Sequence, residues 1–198
     1  MAFVIFTALT TKINSTMSKH ALSYGLLAGL FLVVINLIIY LIDPLLLANW
    51  MLGFALLPIA FIALLVVGLR IRKAEGGYLP FGKAFVSVFV ASLIIAVVGT
   101  IYQVLLFNVV DPNLAGDLIE QSMENMMVMF ERFDLPVDEI EKQLEPAREQ
   151  MEQQFSIGGQ MLGLVYQAFG WAIGALIVAA IVKRNPPVED KAATFAEI

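Results

Sequence analysis

Four uncharged apolar runs, at residues 21–42, 45–69, 84–110 and 155–182, are each long enough to cross a lipid bilayer. At a rise of about 1.5 Å per residue, roughly 20 helical residues span the ~30 Å hydrocarbon core. The chain has 198 residues and is 60% hydrophobic. A soluble domain of that size has too little interior to hide so much apolar surface. The reading is one membrane domain over 1–198, an all-α membrane protein with transmembrane helices at about 21–42, 48–69, 84–107 and 158–182.

Composition removes several classes of function. There is no cysteine, so disulfides and thiolate metal sites are excluded. The single histidine, His20, stands just before the first run, so one chain cannot build a histidine metal cluster or a catalytic dyad. A net charge of −5 gives no basis for nucleic-acid binding. No Asp, Glu, Lys, Arg or His falls inside an apolar run, whereas proton relays and ion-coupled carriers place such groups there. No set of nucleophile, base and metal ligands converges, so the chain is read as non-enzymatic, with no cofactor and no metal.

Basic residues set the threading. Lys12 and Lys19 precede the first run, Arg70, Arg72, Lys73 and Lys83 fill the second connection, and Lys183, Arg184 and Lys191 follow the last run. With four spans, all nine fall on one side. The third connection holds Arg132, Lys142 and Arg148 against twelve acidic residues. The positive-inside rule then places both termini in the cytoplasm and residues 111–155 outside it. The expected location is the cytoplasmic membrane. Residues 1–16 lack the basic n-region and long apolar core of a signal peptide. Either Met17-Ser18-Lys19 is the start of the protein, or these residues form a loose tail.

Within the spans, glycine spacing is the main packing signal. Gly25 and Gly29 form a GxxxG pair in the first span, and Gly159, Gly163, Gly170 and Gly174 form two in the fourth. At 100° per residue the last four lie within about 60° of one another, a small-residue stripe that permits close helix approach or self-association. Asn36 shares the face of Gly25 and Gly29. Gln103 shares a face with Ser92 and Gly99, and Gln167 is placed on the face of Gly163 and Gly170. The threading puts all three amides in the outer half of the bilayer. They are expected to cluster and to hydrogen-bond between helices. A polar ligand or ion site is the alternative.

The third connection reads as an extracytoplasmic amphipathic helical hairpin over about 111–155. Asp111-Pro112-Asn113 is a helix start. Apolar residues follow at Leu114, Leu118, Ile119, Met123, Met126, Met127, Phe130 and Phe133, with the spacing of an amphipathic helix. Asp134-Leu135-Pro136 is the turn. Val137, Ile140, Leu144, Ala147, Met151 and Phe155 continue the pattern directly into the fourth span, with Pro146 expected to bend or divide it. Met123, Met126, Met127 and Met129 are soft ligands in principle, but without Cys or a nearby His they read as flexible filler at an adaptable interface.

The second connection carries the most distinctive local motif, Gly76-Gly77-Tyr78-Leu79-Pro80-Phe81-Gly82-Lys83-Ala84-Phe85. Gly76, Gly77 and Gly82 permit a tight turn, Phe81 can anchor at the interface, and Lys83 can reach lipid phosphate or a helix C-terminus. Together with the Ala21-Leu22-Ser23-Tyr24-Gly25-Leu26 opening and the order of parts, this motif resembles a bacterial membrane family catalogued as a domain of unknown function, number 4199. The resemblance covers about residues 17–185. It implies a membrane fold and transfers no activity and no catalytic residue.

The function expected from these features is that of a structural or accessory membrane protein. Its partners are the lipid bilayer and, through the hairpin or the glycine stripes, a protein partner or a second copy. The alternative is a small transport or channel component working as an oligomer.

Overall fold

The computed structural model describes residues 2–133 and 137–185. It is all-helical: α1 (Ala2–Ile42), α2 (Trp50–Ala74), α3 (Phe81–Leu105), α4 (Leu114–Arg132), α5 (Val137–Phe155) and α6 (Ile157–Val182). A 3₁₀ turn at Pro44–Ala48 joins α1 to α2, and a π-helical turn at Leu106–Val110 extends α3. Lys19–Ile42, Trp50–Ala74, Phe81–Val110 and Ile157–Val182 are long and apolar enough to cross a membrane, as in a multi-pass membrane protein.

Side-chain caps explain the boundaries. Asp43 precedes Pro44, where the backbone avoids the helical region, and its carboxylate accepts from the Leu45 N–H at 2.9 Å. Asn49 starts α2 by accepting from the Met51 N–H at 2.9 Å. Pro58 lies within α2 without ending it. Three sequence expectations change. Residues 2–16 continue α1 as helix and do not form a loose tail. Pro146 does not divide α5, which runs unbroken from Val137 to Phe155. The helical pattern does not pass from α5 into α6. It breaks at Ser156, whose hydroxyl donates to the Gln153 carbonyl at 2.6 Å and accepts from the Gly159 N–H at 3.0 Å. The expected turn at Asp134-Leu135-Pro136 lies outside the described residues, as does Lys191.

Helix α3 is the centre of the bundle, with α1 on one flank and α6 on the other. Helix α2 packs against all three at the end that carries the basic loop. There Leu64, Ile71, Val88, Val178 and Val182 are fully buried and form the main core. A second, smaller core lies at the hairpin end, where Leu106, Leu114 and Leu118 pack with Tyr40, Leu47, Phe107 and Phe155.

The glycine motif closes the basic end. Gly76 and Gly77 have φ of +79° and +88°. The Gly77 N–H donates to the Arg72 carbonyl at 2.9 Å, ending α2. Leu79 and Arg184 then exchange two backbone hydrogen bonds of 2.7 and 2.9 Å, tying the loop to the segment after α6. The Lys183 ammonium lies 5.9 Å from the Phe81 ring centroid and the Arg184 guanidinium 5.8 Å from that of Tyr78. Arg72 donates to the Val182 carbonyl at 3.3 Å. The motif is therefore a clasp on the end of α6, with Phe81 under a cation as well as at the interface. Gly82 has no atom near a notional Cβ, and Lys83 is exposed.

Because only glycine occupies this backbone region freely, Gly77→Val is expected to destabilise by about 1–2 kcal/mol through the left-handed penalty alone. Gly82→Ala, two residues beyond Pro80, should be neutral within about 0.5 kcal/mol. Paired unfolding curves in mixed detergent micelles check the contrast.

Candidate functional site

Between the two cores the flanking helices α1 and α6 pack on α3 and not closely on each other. A cleft floored by α3 results. Its deeper part, about 150 Å³, is lined by Gly29, Leu32, Val33 and Asn36 of α1, Ile95, Ala96, Gly99, Tyr102 and Gln103 of α3, and Gln167 and Trp171 of α6. Its part nearer the hairpin, about 190 Å³, shares Asn36, Tyr102 and Gln103 and adds Gln154, Gln160, Leu47, Leu106, Phe107, Leu118 and Phe155. Aliphatic and amide side chains line both parts, and Tyr102 is the one ionisable side chain among the described residues that line them.

Backbone approach builds the α1 wall. A Cβ on Gly25 would stand 2.8 Å from the Ala91 carbonyl oxygen, and one on Gly29 would stand 3.1 Å from the Val98 Cβ. These glycines let α1 lie directly on α3. On α6, Gln160, Gln167 and Trp171 are spaced by seven and four residues, so they share the face turned to the cleft. The glycine stripe is rotated by about 60–80° from that face. Gly163 and Gly170 accordingly meet no atom within 4 Å of a notional Cβ, and Gly174 makes only an ordinary contact with Leu64 at 3.9 Å. The expected close helix approach at Gly163 and Gly170 is not made among the described residues. Gly159 is tight for another reason: its notional Cβ overlaps the Gln153 carbonyl in the α5–α6 turn. Gly68, absent from the GxxxG pairs, is crowded by Val178, Val182 and Val88 at 3.0–3.3 Å. Its position between branched residues of two neighbouring helices is a tertiary fact with no local sequence signal.

The cleft brings Asn36, Gln103 and Gln167 together, but no hydrogen bond joins them among the described residues. Asn36 donates back to the Leu32 carbonyl of its own helix at 3.3 Å. Ser92, on the sequence face of Gln103, is buried in the core and donates to the Phe89 carbonyl at 2.7 Å. Gln160 is only 7% exposed, and its amide nitrogen donates to the Phe155 carbonyl at 2.8 Å. Its carbonyl oxygen and the Tyr102 hydroxyl are buried without a partner among the described residues. Tyr102 and Gln160 were not singled out from the sequence. The seven-residue spacing of Gln160 and Gln167 was the available signal.

The hairpin roofs this region. Leu114 and Leu118 are buried on Leu106, and the Phe107 and Phe155 rings meet edge to face at 4.9 Å. The Tyr40 hydroxyl donates to the Asp111 carboxylate at 3.3 Å, joining the end of α1 to the start of the hairpin. Farther out, Ile119, Phe130 and Ile140 are buried between the arms, while Met127, Val128, Met129 and Phe133 are exposed. The sequence pattern counted Met127 and Phe133 on the packed face. They sit at its edge and point away, Phe133 being 70% exposed.

A family model described as Protein of unknown function (DUF4199) matches residues 23–184. No curated protein and no solved structure matches the chain.

Proposed function

The chain belongs to this DUF4199 family of proteins of unknown function, and we propose from its geometry that it is a non-enzymatic accessory membrane protein presenting its hairpin to a protein partner. One observation carries the reading: Met127, Val128, Met129 and Phe133 are exposed apolar side chains near the end of α4, on an arm that also carries Glu120, Glu124 and Glu131. Flexible methionines beside an aromatic anchor suit an adaptable protein contact. The second core supports the hairpin from beneath, so that group is held away from the spans.

The orientation proposed is the one the charges favour: a bacterial inner-membrane protein with cytoplasmic termini and an extracytoplasmic hairpin. Lys19, Arg70, Arg72, Lys73, Lys83, Lys183 and Arg184 gather at the end opposite the hairpin. Since the chain has no cysteine, Glu124→Cys supplies a unique thiol. An impermeant maleimide should label it in intact spheroplasts without lysis.

The partner reading is tested with a photo-crosslinking residue at position 129 in native membranes. A discrete heavier adduct is expected, and Phe133→Asp should reduce it at least about tenfold. Because Phe133 is exposed, its replacement should leave folding stability within about 0.5 kcal/mol. Adducts to lipid alone, unchanged by Phe133→Asp, would overturn the reading. Transport by an oligomer draws on the polar cleft. In one chain that cleft stops at the core of Leu64, Ile71, Val88 and Val178, which closes the basic end among the described residues.

A further inference from the structure

The cleft has the mixed lining of an amphiphile's site. Its deeper part combines an aliphatic floor of Ile95, Ala96 and Gly99 with Asn36, Gln103 and Gln167, and is of a size that holds about six carbon atoms, since an apolar cavity of about 150 Å³ accepts benzene. Its upper part adds Gln154 and Gln160. Two buried atoms there lack partners among the described residues: the Gln160 carbonyl oxygen, which can only accept, and the Tyr102 hydroxyl, which can donate. A ligand with a donor for Gln160 and an acceptor for Tyr102 beside an alkyl chain satisfies both. Among the described residues no charged side chain lines either part. Asp111 stands beside the roof, and the hairpin over it is rich in carboxylates. An anionic head is therefore disfavoured.

We propose that this cleft binds one glycerolipid with an uncharged, hydroxyl-bearing head, of the diacylglycerol class. One chain lies along Gly29 and Gly99, the free hydroxyl donates to the Gln160 carbonyl oxygen, and an ester carbonyl accepts from the Tyr102 hydroxyl. Asn36 and Gln103 flank the ester region. The gap between α1 and α6 supplies the lateral way in from the bilayer. This site is separate from the apolar group on the hairpin, so either proposal can fail alone.

Trp171 lines the deeper part and serves as a reporter. The chain has two tryptophans, so Trp50→Phe leaves Trp171 as the sole one. That full-length variant is reconstituted in phosphatidylcholine vesicles containing rising fractions of chain-dibrominated diacylglycerol or chain-dibrominated phosphatidylglycerol. Trp171 quenching by the diacylglycerol should saturate, with its half-maximum at a mole fraction about tenfold lower than for phosphatidylglycerol. Adding Tyr102→Phe and Gln160→Leu should raise that half-maximum about tenfold, as expected for two lost hydrogen bonds. Gly99→Leu, whose side chain grows into open space and so leaves the bundle intact, should abolish saturation by filling the groove. Quenching that rises equally with both brominated lipids and is indifferent to Gly99→Leu would mean general contact with bilayer lipid and a cleft filled by water, and would overturn the proposal.

Discussion

Gly159→Ala is expected to be the most disruptive single-methyl change in the chain, destabilising by about 3 kcal/mol, at the upper end of the overpacking range. The added Cβ meets the Gln153 carbonyl oxygen and carbon and the Gln154 Cα, all backbone, so no side-chain rotation relieves the overlap. That carbonyl already accepts from both the Ser156 N–H at 3.2 Å and the Ser156 hydroxyl at 2.6 Å. Displacing it breaks the turn that sets α5 over α6. The neighbouring residue provides the control. A Cβ on Gly158 meets only the Ser156 hydroxyl, at 4.0 Å. Gly158→Ala should therefore be neutral or stabilise by up to about 1 kcal/mol through helix propensity. Far-UV circular dichroism across a titration of denaturing into mild detergent measures both variants. Equal stabilities would show that α5 does not approach α6 as closely as described.

Gly25→Val should separate α1 from α3, with a loss of about 2–3 kcal/mol. The first added carbon already lies 2.8 Å from the Ala91 carbonyl oxygen and 3.1 Å from its Cα. A stiff, branched side chain has no rotamer that avoids a backbone wall. Gly163→Val and Gly170→Val should change stability by no more than about 0.5 kcal/mol, because each enters open space. The same detergent titration ranks the three. A self-association assay extends the comparison: if Gly163→Val leaves stability intact but dissolves a dimer, the α6 stripe packs against a second copy.

Much of the architecture is legible in the residues. Long apolar runs mark the four spans, Asp43-Pro44 ends the first, and the acidic 3-and-4 pattern marks two amphipathic arms. Such features depend on composition and short-range chemistry. Which side of a span faces protein is harder to read. In a helix that is apolar all round, lipid tails and neighbouring leucines offer much the same environment, so glycine spacing alone does not say which flank is covered. Gly25 and Gly29 lie against α3, whereas the similarly spaced Gly163 and Gly170 are bare. The break at Ser156 was hidden because the apolar spacing runs through it unbroken. Its cause is a serine cap and one glycine squeezed against the preceding helix.

The residues by themselves determined that this chain is helical, where it can cross a bilayer, and where its carboxylates and cations concentrate, because hydrocarbon length, capping and charge act locally. Tertiary structure alone decided that α3 is central, that Leu79 pairs with Arg184, and that Asn36, Tyr102, Gln103, Gln160 and Gln167 surround one cleft. Those outcomes depend on how far each helix is rotated about its axis. That rotation follows from backbone contacts between residues distant in sequence, such as Gly25 on Ala91, and no single helix encodes it.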